Sequence, residues 1–379
     1  MKNNFLSLFV LISLSMSAVA QVNNPIVTAV PSLSIAPDAR AGGMGDIGAA
    51  TTPDVNSQYW NPAKYVFMES DAGVSVSYTP WLRKLVTDIN LAYLAGYWKF
   101  DQRQALSASL RYFSLGNIDL MDQLGFPAGS AHPNEFALDA AYSRLLSDKF
   151  SAAITFRFIY SDLNNGINLA GGTEMYPGTS VAADIAGYYR TPITLPNGEG
   201  KLAFGLNLSN IGSKISYDRF ETSNFIPTNL RIGGSFDYPI DNFNKISFSA
   251  DLNKLLVPTP KLNPTLLDIK AYNDMSTLTG VFNSLTYAPG GFKEKMEEIM
   301  WSIGAEYAYN NQFFVRGGYF NENQYKGNRK YFTAGAGFKL NVFQLDAGYV
   351  ISTSQSNPLD QTLRFSLSFD MFGLKNLVK

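Results

Sequence analysis

Residues 42–50, GGMGDIGAA, contain three glycines at the spacing of a dinucleotide-binding loop, Gly43, Gly45 and Gly48. Such glycines bind a pyrophosphate where a buried strand leads into them and a helix begins at them. Prolines interrupt the chain on both sides of this stretch, so we expect neither a central strand before it nor a long helix after it. The pattern therefore does not indicate a nucleotide site, and the glycines require another explanation.

His132 is the one histidine of the chain, and the chain has no cysteine. A catalytic histidine needs a serine or an acid within hydrogen-bond reach, as for deacylation of a lipid, but the surrounding GSAHPNEF does not ensure that geometry. We therefore expect a solvated loop histidine and predict no catalytic residue. Neither a Cys or His cluster nor an EF-hand spacing is present, so the sequence predicts no metal ligand and no cofactor, while a calcium site built from loop aspartates stays open.

The first 20 residues have the three parts of a secretory signal peptide. Lys2 gives a basic start, residues 5–16 are apolar, and Ala18 and Ala20 form a cleavage site before Gln21. A membrane anchor is the alternative, but it would need an apolar run of about 20 residues to cross a bilayer, and this run is shorter. We therefore predict an exported chain that begins at Gln21 after cleavage.

The composition excludes one class of partner and narrows the class of fold. The 30 basic and 31 acidic residues leave a formal charge of −1, which offers no electrostatic footprint for nucleic acid. Aromatic residues make up 14% of the chain and charged residues 16%, whereas soluble proteins usually contain about 25% charged residues. The mean hydropathy is near zero, as expected where apolar and polar residues alternate along membrane-spanning strands.

Apolar and polar residues alternate along most of the chain after residue 71. In TLRFSLSFDMF, residues 362–372, every second residue from Leu363 to Met371 is apolar. A period of two predicts a strand with one apolar face, and these runs have the length of about 9–11 residues that a tilted strand needs to cross a bilayer. Fourteen such strands are predicted, near residues 72–80, 88–100, 104–115, 135–146, 150–161, 178–190, 200–211, 228–238, 244–253, 300–309, 312–320, 330–340, 343–352 and 362–372.

The connections between these strands alternate between long and short. The long ones span residues 116–134, 162–177, 212–227, 254–299 and 321–329. The short ones include DQR, SDK, PIDNF, NN and NV, and residues 191–199 are the weakest member of this set. Outer-membrane barrels have long exterior loops and short periplasmic turns, and an even number of strands places both termini in the periplasm.

The registers of these strands place most of their charged residues toward the lumen. The inward basic residues are Arg111, Arg157, Arg190, Lys201, Arg231, Arg316, Lys339 and Arg364, and the inward acidic residues are Asp139, Asp184, Asp237, Asp251, Glu306, Asp346 and Asp370. The numbers of inward basic and acidic residues are nearly equal, which favours paired charges in a narrow lumen over an ion-selective pore. The alternative is a soluble protein of two packed sheets, but its strands would be shorter and its loop lengths need not alternate. We therefore predict an all-β membrane protein, a 14-stranded antiparallel outer-membrane β-barrel with an N-terminal plug.

Residues 21–71 precede the first strand, do not alternate, and are rich in Gly, Ala, Pro and Asn. Aromatic residues near the end of this segment would be costly to leave exposed, which favours a compact plug over a flexible linker. In a plug, small residues let the backbone lie against the barrel wall, and a proline fixes a turn. The plug residues singled out are Gly42, Gly43, Gly45, Gly48, Trp60, Asn61, Pro62 and Ala63. The predicted organisation is a signal peptide at 1–20, a plug at 21–71, a barrel at 72–372 and a periplasmic tail at 373–379.

Two parts of the chain carry a resemblance to known outer-membrane proteins. GGMGDIGAATTPDVNSQYWNPA, together with the strand pattern, resembles the long-chain fatty-acid transporter superfamily, whose N-terminal hatch has an Asn-Pro-Ala element like Asn61, Pro62 and Ala63 here. APGGFKEKMEEIMWSIGAEYAY, FFVRGGYFNENQYKGNRKYFTAGAGFK and NPLDQTLRFSLSF are similar to the PorV family of the Bacteroidetes type IX secretion system. The likeness runs from about residue 34 to the C-terminus, and its last third is the most specific part.

The resemblance implies a carrier in the outer membrane, not a channel or a catalyst. Members of the PorV family receive secreted cargo by its C-terminal signal domain at the translocon. They deliver it to the cell-surface attachment complex that contains the PorU sortase. The partners implied are these translocon and attachment proteins, the cargo signal domains and outer-membrane lipid.

The connection at residues 254–299 is far longer than joining two strands requires, and loops beyond about 12–15 residues are usually functional or disordered. Its apolar residues argue against simple disorder, and GFKEKMEEIM predicts a short helix with Phe292, Met296, Ile299 and Met300 on one face. Two interpretations stay open, a lid over the barrel mouth and a docking surface for translocon or cargo. The residues singled out for docking are Leu256, Leu266, Leu267, Phe292 and Met296.

The sequence leaves three classes of function open. The first is a non-enzymatic secretion component that binds protein partners through exterior loops. The second is an outer-membrane transporter of hydrophobic small molecules, which would need an apolar pocket in the lumen and a gap in the wall. Prolines or bulges within strands would indicate such a gap, and the predicted strand interiors contain no proline. The third, a lipid-modifying enzyme, rests on His132 alone.

Overall fold

The computed structural model describes residues 24–83, 86, 88–121, 125–163, 176–218, 222–353 and 359–370. The predicted signal peptide with its cleavage site at Ala18, Ala20 and Gln21 lies outside the described residues. The predicted tail at residues 373–379 lies outside them as well.

In the described part of the chain, fourteen antiparallel strands form a closed barrel in which each strand is hydrogen-bonded to both neighbours. Closure pairs the first strand with the last, with Val74 opposite Phe369 and Val76 opposite Leu367. A closed ladder satisfies the backbone hydrogen bonds that a bilayer cannot. The strands are β1 (Ala72–Pro80), β2 (Asn90–Lys99), β3 (Gln104–Ser114), β4 (Ile118–Met121), β5 (Pro127–Ala131), β6 (Asn134–Ser147), β7 (Phe150–Asp162), β8 (Gly178–Leu195), β9 (Gly198–Gly212), β10 (Asn229–Pro239), β11 (Asn244–Leu255), β12 (Ile299–Tyr309), β13 (Phe313–Asn321), β14 (Lys330–Leu340), β15 (Phe343–Ser352) and β16 (Leu363–Asp370), of which β4 and β5 form a separate hairpin.

The strands direct polar side chains toward the interior of the barrel and apolar side chains outward, the opposite of the arrangement in a soluble protein. In β3, Ser107, Ser109 and Arg111 are buried, whereas Leu106 and Leu110 are exposed on the outer face. The alternation is thus an apolar surface for lipid and a polar lining for the lumen. This arrangement excludes the soluble two-sheet alternative and confirms the predicted 14-stranded outer-membrane barrel.

The predicted strands match the observed ones closely, with differences at two places. The weak connection at 191–199 is mostly strand, because β8 continues to Leu195 and β9 begins at Gly198. Pro192 therefore lies inside β8, opposite Lys201, so the prediction of proline-free strand interiors is wrong. The hairpin of β4 and β5 lies within the connection expected to be a plain loop at 116–134.

The two ends of the barrel differ in the length of their connections. The short-turn end carries the connections at residues 100–103, 148–149, 196–197, 240–243, 310–312 and 341–342. The long-loop end carries the connections at residues 81–89, 115–133, 163–177, 213–228, 256–298, 322–329 and 353–362. Since β1 begins at the short-turn end, the residues immediately before it lie at that end.

Residues 24–67, which we call the lumen segment, run through the barrel from one end to the other. Asn24 donates its backbone N–H to the carbonyl of Tyr325 at the long-loop end, at 3.0 Å. Near the opposite end, the Lys99 Nζ donates to the carbonyl of Met68, at 2.7 Å. The segment contains short helical turns at Pro31–Ser34, Ala39–Gly42 (α1), Ser57–Trp60 (α2) and Pro62–Phe67.

Both termini, which the sequence predicts to be periplasmic, lie outside the described residues, but the two ends of the described part can be placed. Asp370, the last described residue, lies at the short-turn end, but Asn24, the first, lies at the other. Strand parity fixes where the barrel's own ends lie. It does not constrain a segment that can cross the lumen before the first strand.

The longest connection at the long-loop end, between β11 and β12, is largely helical. It contains α3 (Leu266–Asp274), α4 (Thr277–Thr286) and α5 (Gly291–Glu297). We call residues 256–298 the helical loop. The predicted helix at 291–300 stops early, because Ile299 and Met300 begin β12. None of the helices in the described part of the chain has the length and apolar character to cross a bilayer.

Candidate functional site: the lumen segment and the helical loop

The glycine motif of the lumen segment binds a carboxylate of the barrel wall. The backbone N–H groups of Gly48 and Ala49 both donate to Oδ2 of Asp251 on β11, at 2.9 and 3.0 Å. Two N–H groups that converge on one anion are what a phosphate loop also offers. Here the anion is Asp251, which belongs to the chain itself, so this part of the motif has a structural use.

The other glycines let two backbones meet without side chains between them. Gly45 has a φ of +81°, and a Cβ added to it would lie 2.9 Å from the backbone nitrogen of Tyr319 on β13. On the wall side, a Cβ added to Gly318 would lie 2.1 Å from the carbonyl carbon of Met44. Gly43 lies against Gly335 of β14 in the same way. These contacts explain the glycines that suggested a nucleotide site.

The wall glycines were missed in the sequence, although a signal for them exists. Gly304, Gly318, Gly335 and Gly348 occupy inward positions on four consecutive strands, β12 to β15, and each faces the backbone of the lumen segment. A run of inward glycines across neighbouring strands indicates that another backbone lies against that wall.

Buried ion pairs tie the lumen segment to the wall. The Arg40 guanidinium lies 2.9 Å from Glu306 of β12 and 2.8 Å from Asp54 of its own segment. Glu306 also receives Arg316 of β13, at 2.6 Å. Each of these charges is paired, as buried charges must be.

A second ion pair and a hydroxyl hold the turn that carries the glycine motif. The Arg364 guanidinium of β16 lies 2.5 Å from Oδ1 of Asp46, and the Tyr331 hydroxyl donates to Oδ2 of the same carboxylate at 2.6 Å. Gly42 makes room for this arginine, because a Cβ there would fall 2.3 Å from its Nη1. The turn is therefore fixed from the side of β14 and β16.

The Asn-Pro-Ala element lies near the short-turn end and links the segment to three strands, and the residue before it links the segment to a fourth. Asn61 Nδ2 donates to the carbonyls of Ala49 and Gly187, at 2.9 and 3.0 Å, and its Oδ1 accepts the N–H of Ala63. The carbonyls of Pro62 and Ala63 accept hydroxyls from β6 and β7. Trp60, just before the element, has its own carbonyl bonded to Asn207 of β9.

Two buried ionisable groups of the lumen segment have displaced pKa values. Burial, with the nearby carboxylate of Asp54, raises the pKa of Asp38 to about 6. Asp38 accepts the Trp60 indole N–H at 2.6 Å and the N–H of Ala41 at 2.9 Å. Burial also lowers the pKa of Lys64 to about 8, and its Nζ donates to the carbonyl of Gly48 at 2.8 Å.

The predicted inward charges line the lumen in two groups. Those in the middle are buried and form networks, as where Arg157 lies 2.7 Å from Asp139 and 3.0 Å from Asp184. Those near the short-turn end are less buried and line a polar cavity of about 390 Å³ beneath the lumen segment. The residues of this second group are Arg190, Lys201, Lys339 and Asp370.

A more apolar chamber of about 530 Å³ lies at the long-loop end of the lumen. Its lining includes Trp81, Leu82 and Phe113 from the barrel and Ile26 and Ile35 from the lumen segment. A strand bulge between Ala183 and Ile185 breaks the pairing of β8 with β9 at one point, yet every strand stays bonded to its neighbours. The chamber is thus enclosed by a closed ladder among the described strands.

The helical loop exposes large apolar side chains, which together we call its apolar face. Leu266 is 86% exposed, Leu267 79% and Phe292 78%, and Met296 is also exposed. Leu256, singled out with them in the sequence, is buried at the base of the loop. Four of the five predicted docking residues are therefore exposed, two on α3 and two on α5, and the fifth is buried.

The helical loop rests on the neighbouring connection between β9 and β10. Lys214 Nζ donates to the carbonyls of Tyr272 and Asn273, at 3.3 and 2.9 Å. The Phe225 and Tyr272 rings meet edge to face with centroids 5.4 Å apart. These contacts use the inner side of α3 and leave its leucines free for other contacts.

The remaining candidate residue, His132, is exposed beside β5. Its backbone carbonyl accepts a hydrogen bond from Asn134 Nδ2 at 3.2 Å. Among the described residues, no group of three or more His, Cys, Asp or Glu side chains is arranged to hold a metal ion.

Comparison with solved structures finds outer-membrane barrels of similar fold. One is the Pseudomonas putida toluene transporter TodX, with a TM-score of 0.50 and 11% identity over 87% of this chain and 96% of that chain. A second is the TodX deltaS2S3 mutant monoaromatic hydrocarbon channel, with a TM-score of 0.52 and 11% identity over 88% and 98%. A Pseudomonas aeruginosa FadL homologue has a TM-score of 0.43 and 12% identity over 92% and 100%. At these identities the likeness concerns the fold alone.

Comparison of the sequence itself gives a more specific result. No curated protein matches the chain. A family model described as type IX secretion system protein PorV matches residues 18–262, more than half of the chain. The matched region contains the whole lumen segment and the barrel as far as the base of the helical loop. The chain therefore belongs to the PorV family and is an outer-membrane β-barrel component of the type IX secretion system.

Proposed function

We propose that this protein is a non-enzymatic carrier of type IX secretion. It receives C-terminal signal domains of cargo at the translocon and delivers them to the attachment complex that contains the PorU sortase. The observation that carries this proposal is the exposed apolar face of the helical loop. In the same proposal, the lumen segment is a permanent plug, so that cargo is handled at the barrel mouth.

The apolar face has the properties of a protein-binding surface. Large exposed apolar side chains that are concentrated on one loop often mark an interaction site. Covering a leucine or phenylalanine side chain contributes on the order of 1.5–3 kcal/mol, so Leu266, Leu267 and Phe292 together could supply much of a stable complex.

The helical loop is also ordered before any partner arrives. A capping box joins Thr265 and Asp268 at the start of α3. At the base of the loop, Lys326 lies 2.5 Å from Glu294, and Lys254 pairs with Glu298. A surface that is already fixed loses little conformational entropy on binding, which favours affinity.

The lid interpretation accounts for the loop less well. A lid over the barrel mouth would direct its apolar side chains inward, toward the chamber. Here the helical loop contributes only Glu298, at its end, to the chamber lining, and the leucines of α3 do not line the chamber but are exposed. The contact of Lys214 with Tyr272 holds the helical loop on the connection between β9 and β10. It does not explain why large apolar side chains of the loop are exposed.

A pair of charge substitutions tests the docking role. We expect Leu266→Glu/Leu267→Glu to insert into the outer membrane normally, to lose the translocon and attachment proteins that co-purify in mild detergent, and to block cargo display. Lys270→Glu is the matched control, since it adds a negative charge to an exposed position of the same helix. Normal co-purification and cargo display by the double variant would refute docking through this face.

A second candidate function is transport of hydrophobic small molecules. The observation that favours it is the chamber of about 530 Å³ with its largely apolar lining. Against it stand the lumen segment beneath the chamber and the closed ladder of the described strands. Faster uptake of a hydrophobic probe by cells that express this protein, unaffected by Leu266→Glu/Leu267→Glu, would favour transport over cargo handling.

A further inference from the structure

The first described residues of the lumen segment, Asn24 to Val30, form a strap across the long-loop end. Asn24 Nδ2 donates to the carbonyl of Pro260 at 3.1 Å and to Oε1 of Glu294 at 3.2 Å. Its backbone N–H donates to Tyr325. Five residues later, the N–H of Ala29 donates to the carbonyl of Phe225 at 2.9 Å.

These bonds join three separate connections of the barrel. Pro260 and Glu294 belong to the helical loop, Tyr325 to the connection between β13 and β14, and Phe225 to the connection between β9 and β10. Glu294 also pairs with Lys326, so the strap and the connection of Lys326 meet at one carboxylate of α5. The strap further forms part of the chamber wall through Pro25, Ile26 and Val27.

The strap lies at the long-loop end of the barrel, opposite the end at which β1 begins. A strand such as β10, Asn229–Pro239, is 11 residues long, which corresponds to roughly 35 Å from end to end. The long loops of outer-membrane barrels face the exterior.

We propose that the strap lies on the cell surface, where it ties the helical loop to its neighbours. The lumen segment is then continuous with the exterior loops. Its first described residue, Asn24, holds α5 through Glu294. An unseated lumen segment would leave the helical loop without one of its anchors. The position of the helical loop thus depends on the lumen being filled.

Single cysteines test the location directly, because the natural chain has none. Val27 is 72% exposed, so Val27→Cys should react with a membrane-impermeant maleimide on intact cells. Leu267→Cys at the helical loop is the exterior reference. Asn242→Cys, exposed in the turn at residues 240–243, is the short-turn reference and should react only after permeabilisation.

The outcome is read as the ratio of labelling in intact cells to labelling in permeabilised cells, for the heat-modifiable, folded protein. A Val27→Cys ratio equal to that of Leu267→Cys supports the proposal. A ratio equal to that of Asn242→Cys overturns it. Since this readout needs no cargo, it is independent of whether the helical loop docks secretion partners.

Limited proteolysis tests the tether. Asn24→Ala removes the side-chain bonds to Pro260 and Glu294, so trypsin on intact cells should cut the helical loop, at Lys270 or Lys293, several-fold faster. Val27→Ala is the matched control, because it changes an exposed strap residue and keeps Asn24. Equal cleavage rates for the two variants would show that the strap does not hold the loop.

Discussion

The lumen segment and the helical loop are the two parts of this chain outside the membrane wall that are most different from each other. In the lumen segment, Arg40 and Asn61 are buried and bonded, and the half-buried Asp46 is paired with an arginine of the wall. In the helical loop, large apolar side chains such as Leu267 and Phe292 are exposed. The contrast separates a part that is fixed by its own barrel from a part that is available to other molecules.

The physical reason lies in where water is. A charge in the lumen has lost most of its hydration, so it must keep its partner, and removal of one partner leaves the other uncompensated. An exposed apolar side chain on the helical loop is in water in the folded chain as well as in the unfolded chain. Its substitution therefore hardly affects folding. Substitutions should therefore affect assembly in the first region and partner binding in the second.

The largest effect on assembly is expected from Gly318→Val on β13. A Cβ at this position would lie 2.1 Å from the carbonyl carbon of Met44, and backbone on both sides cannot move aside without displacing the lumen segment. We expect the folded, fast-migrating form of the protein to be lost from SDS gels of unheated membranes.

The neighbouring glycine provides the control for that experiment. Gly317 faces outward, and the nearest atom to an added Cβ is the carbonyl oxygen of Thr333 at 3.8 Å. Gly317→Val should fold as the natural protein does. Equal behaviour of the two variants would mean that the lumen segment does not lie against β13.

The next largest effect is expected from Arg40→Gln. This change leaves Glu306 and Asp54 without the cation between them, although Glu306 keeps Arg316. Removing one member of a buried ion pair typically costs about 3–5 kcal/mol. The temperature at which the folded band converts to the unfolded band should fall clearly, whereas Arg144→Gln, at an exposed position, should leave it unchanged.

A smaller, pH-dependent effect is expected from Asp38→Asn. Because burial raises the pKa of Asp38 from 3.8 to about 6, the folded protein binds this proton more readily than the unfolded chain does. The resulting stabilisation is complete below about pH 3.8 and is lost as the pH rises through about 6. It amounts to a few kcal/mol at most, on the order of 3 for a shift of this size.

The measurement compares band-conversion temperatures of the natural protein and Asp38→Asn from pH 4 to pH 8. The natural protein should gain stability relative to the variant as the pH falls below 6. Asp148→Asn, at an exposed turn, corrects for carboxylates in general. Parallel curves for the natural protein and Asp38→Asn would contradict the raised pKa of Asp38.

The barrel could be predicted from the sequence because its signal is repeated and local. A lipid-facing residue at every second position of β3 or β16 is visible without knowledge of the partner strand. The same rule does not find where a strand ends beyond the bilayer, because neither face of the strand must be apolar there. For that reason the extension of β8 through Pro192 was missed.

The sequence predicts which residues of the lumen segment serve close packing, but it does not predict which wall residues they contact. That Gly45 and Gly48 serve close packing followed from the absence of a flanking strand and helix. That Asp251 would receive the N–H groups of Gly48 and Ala49 depends on contacts some 200 residues apart, which spacing along the chain does not encode. The crossing of the lumen up to Tyr325 depends on the same kind of contact.

The smallest effect on assembly is expected from Leu267→Glu in the helical loop. Leu267 is 79% exposed, so its replacement removes little buried apolar area, and exposed substitutions usually change stability by less than about 0.5 kcal/mol. The folded band should therefore convert at the same temperature as in the natural protein. Partner proteins should nevertheless be lost from the purified material, since a glutamate in an apolar contact must be dehydrated. A marked loss of heat stability would instead mean that Leu267 packs against its own barrel, and the lid interpretation would replace docking.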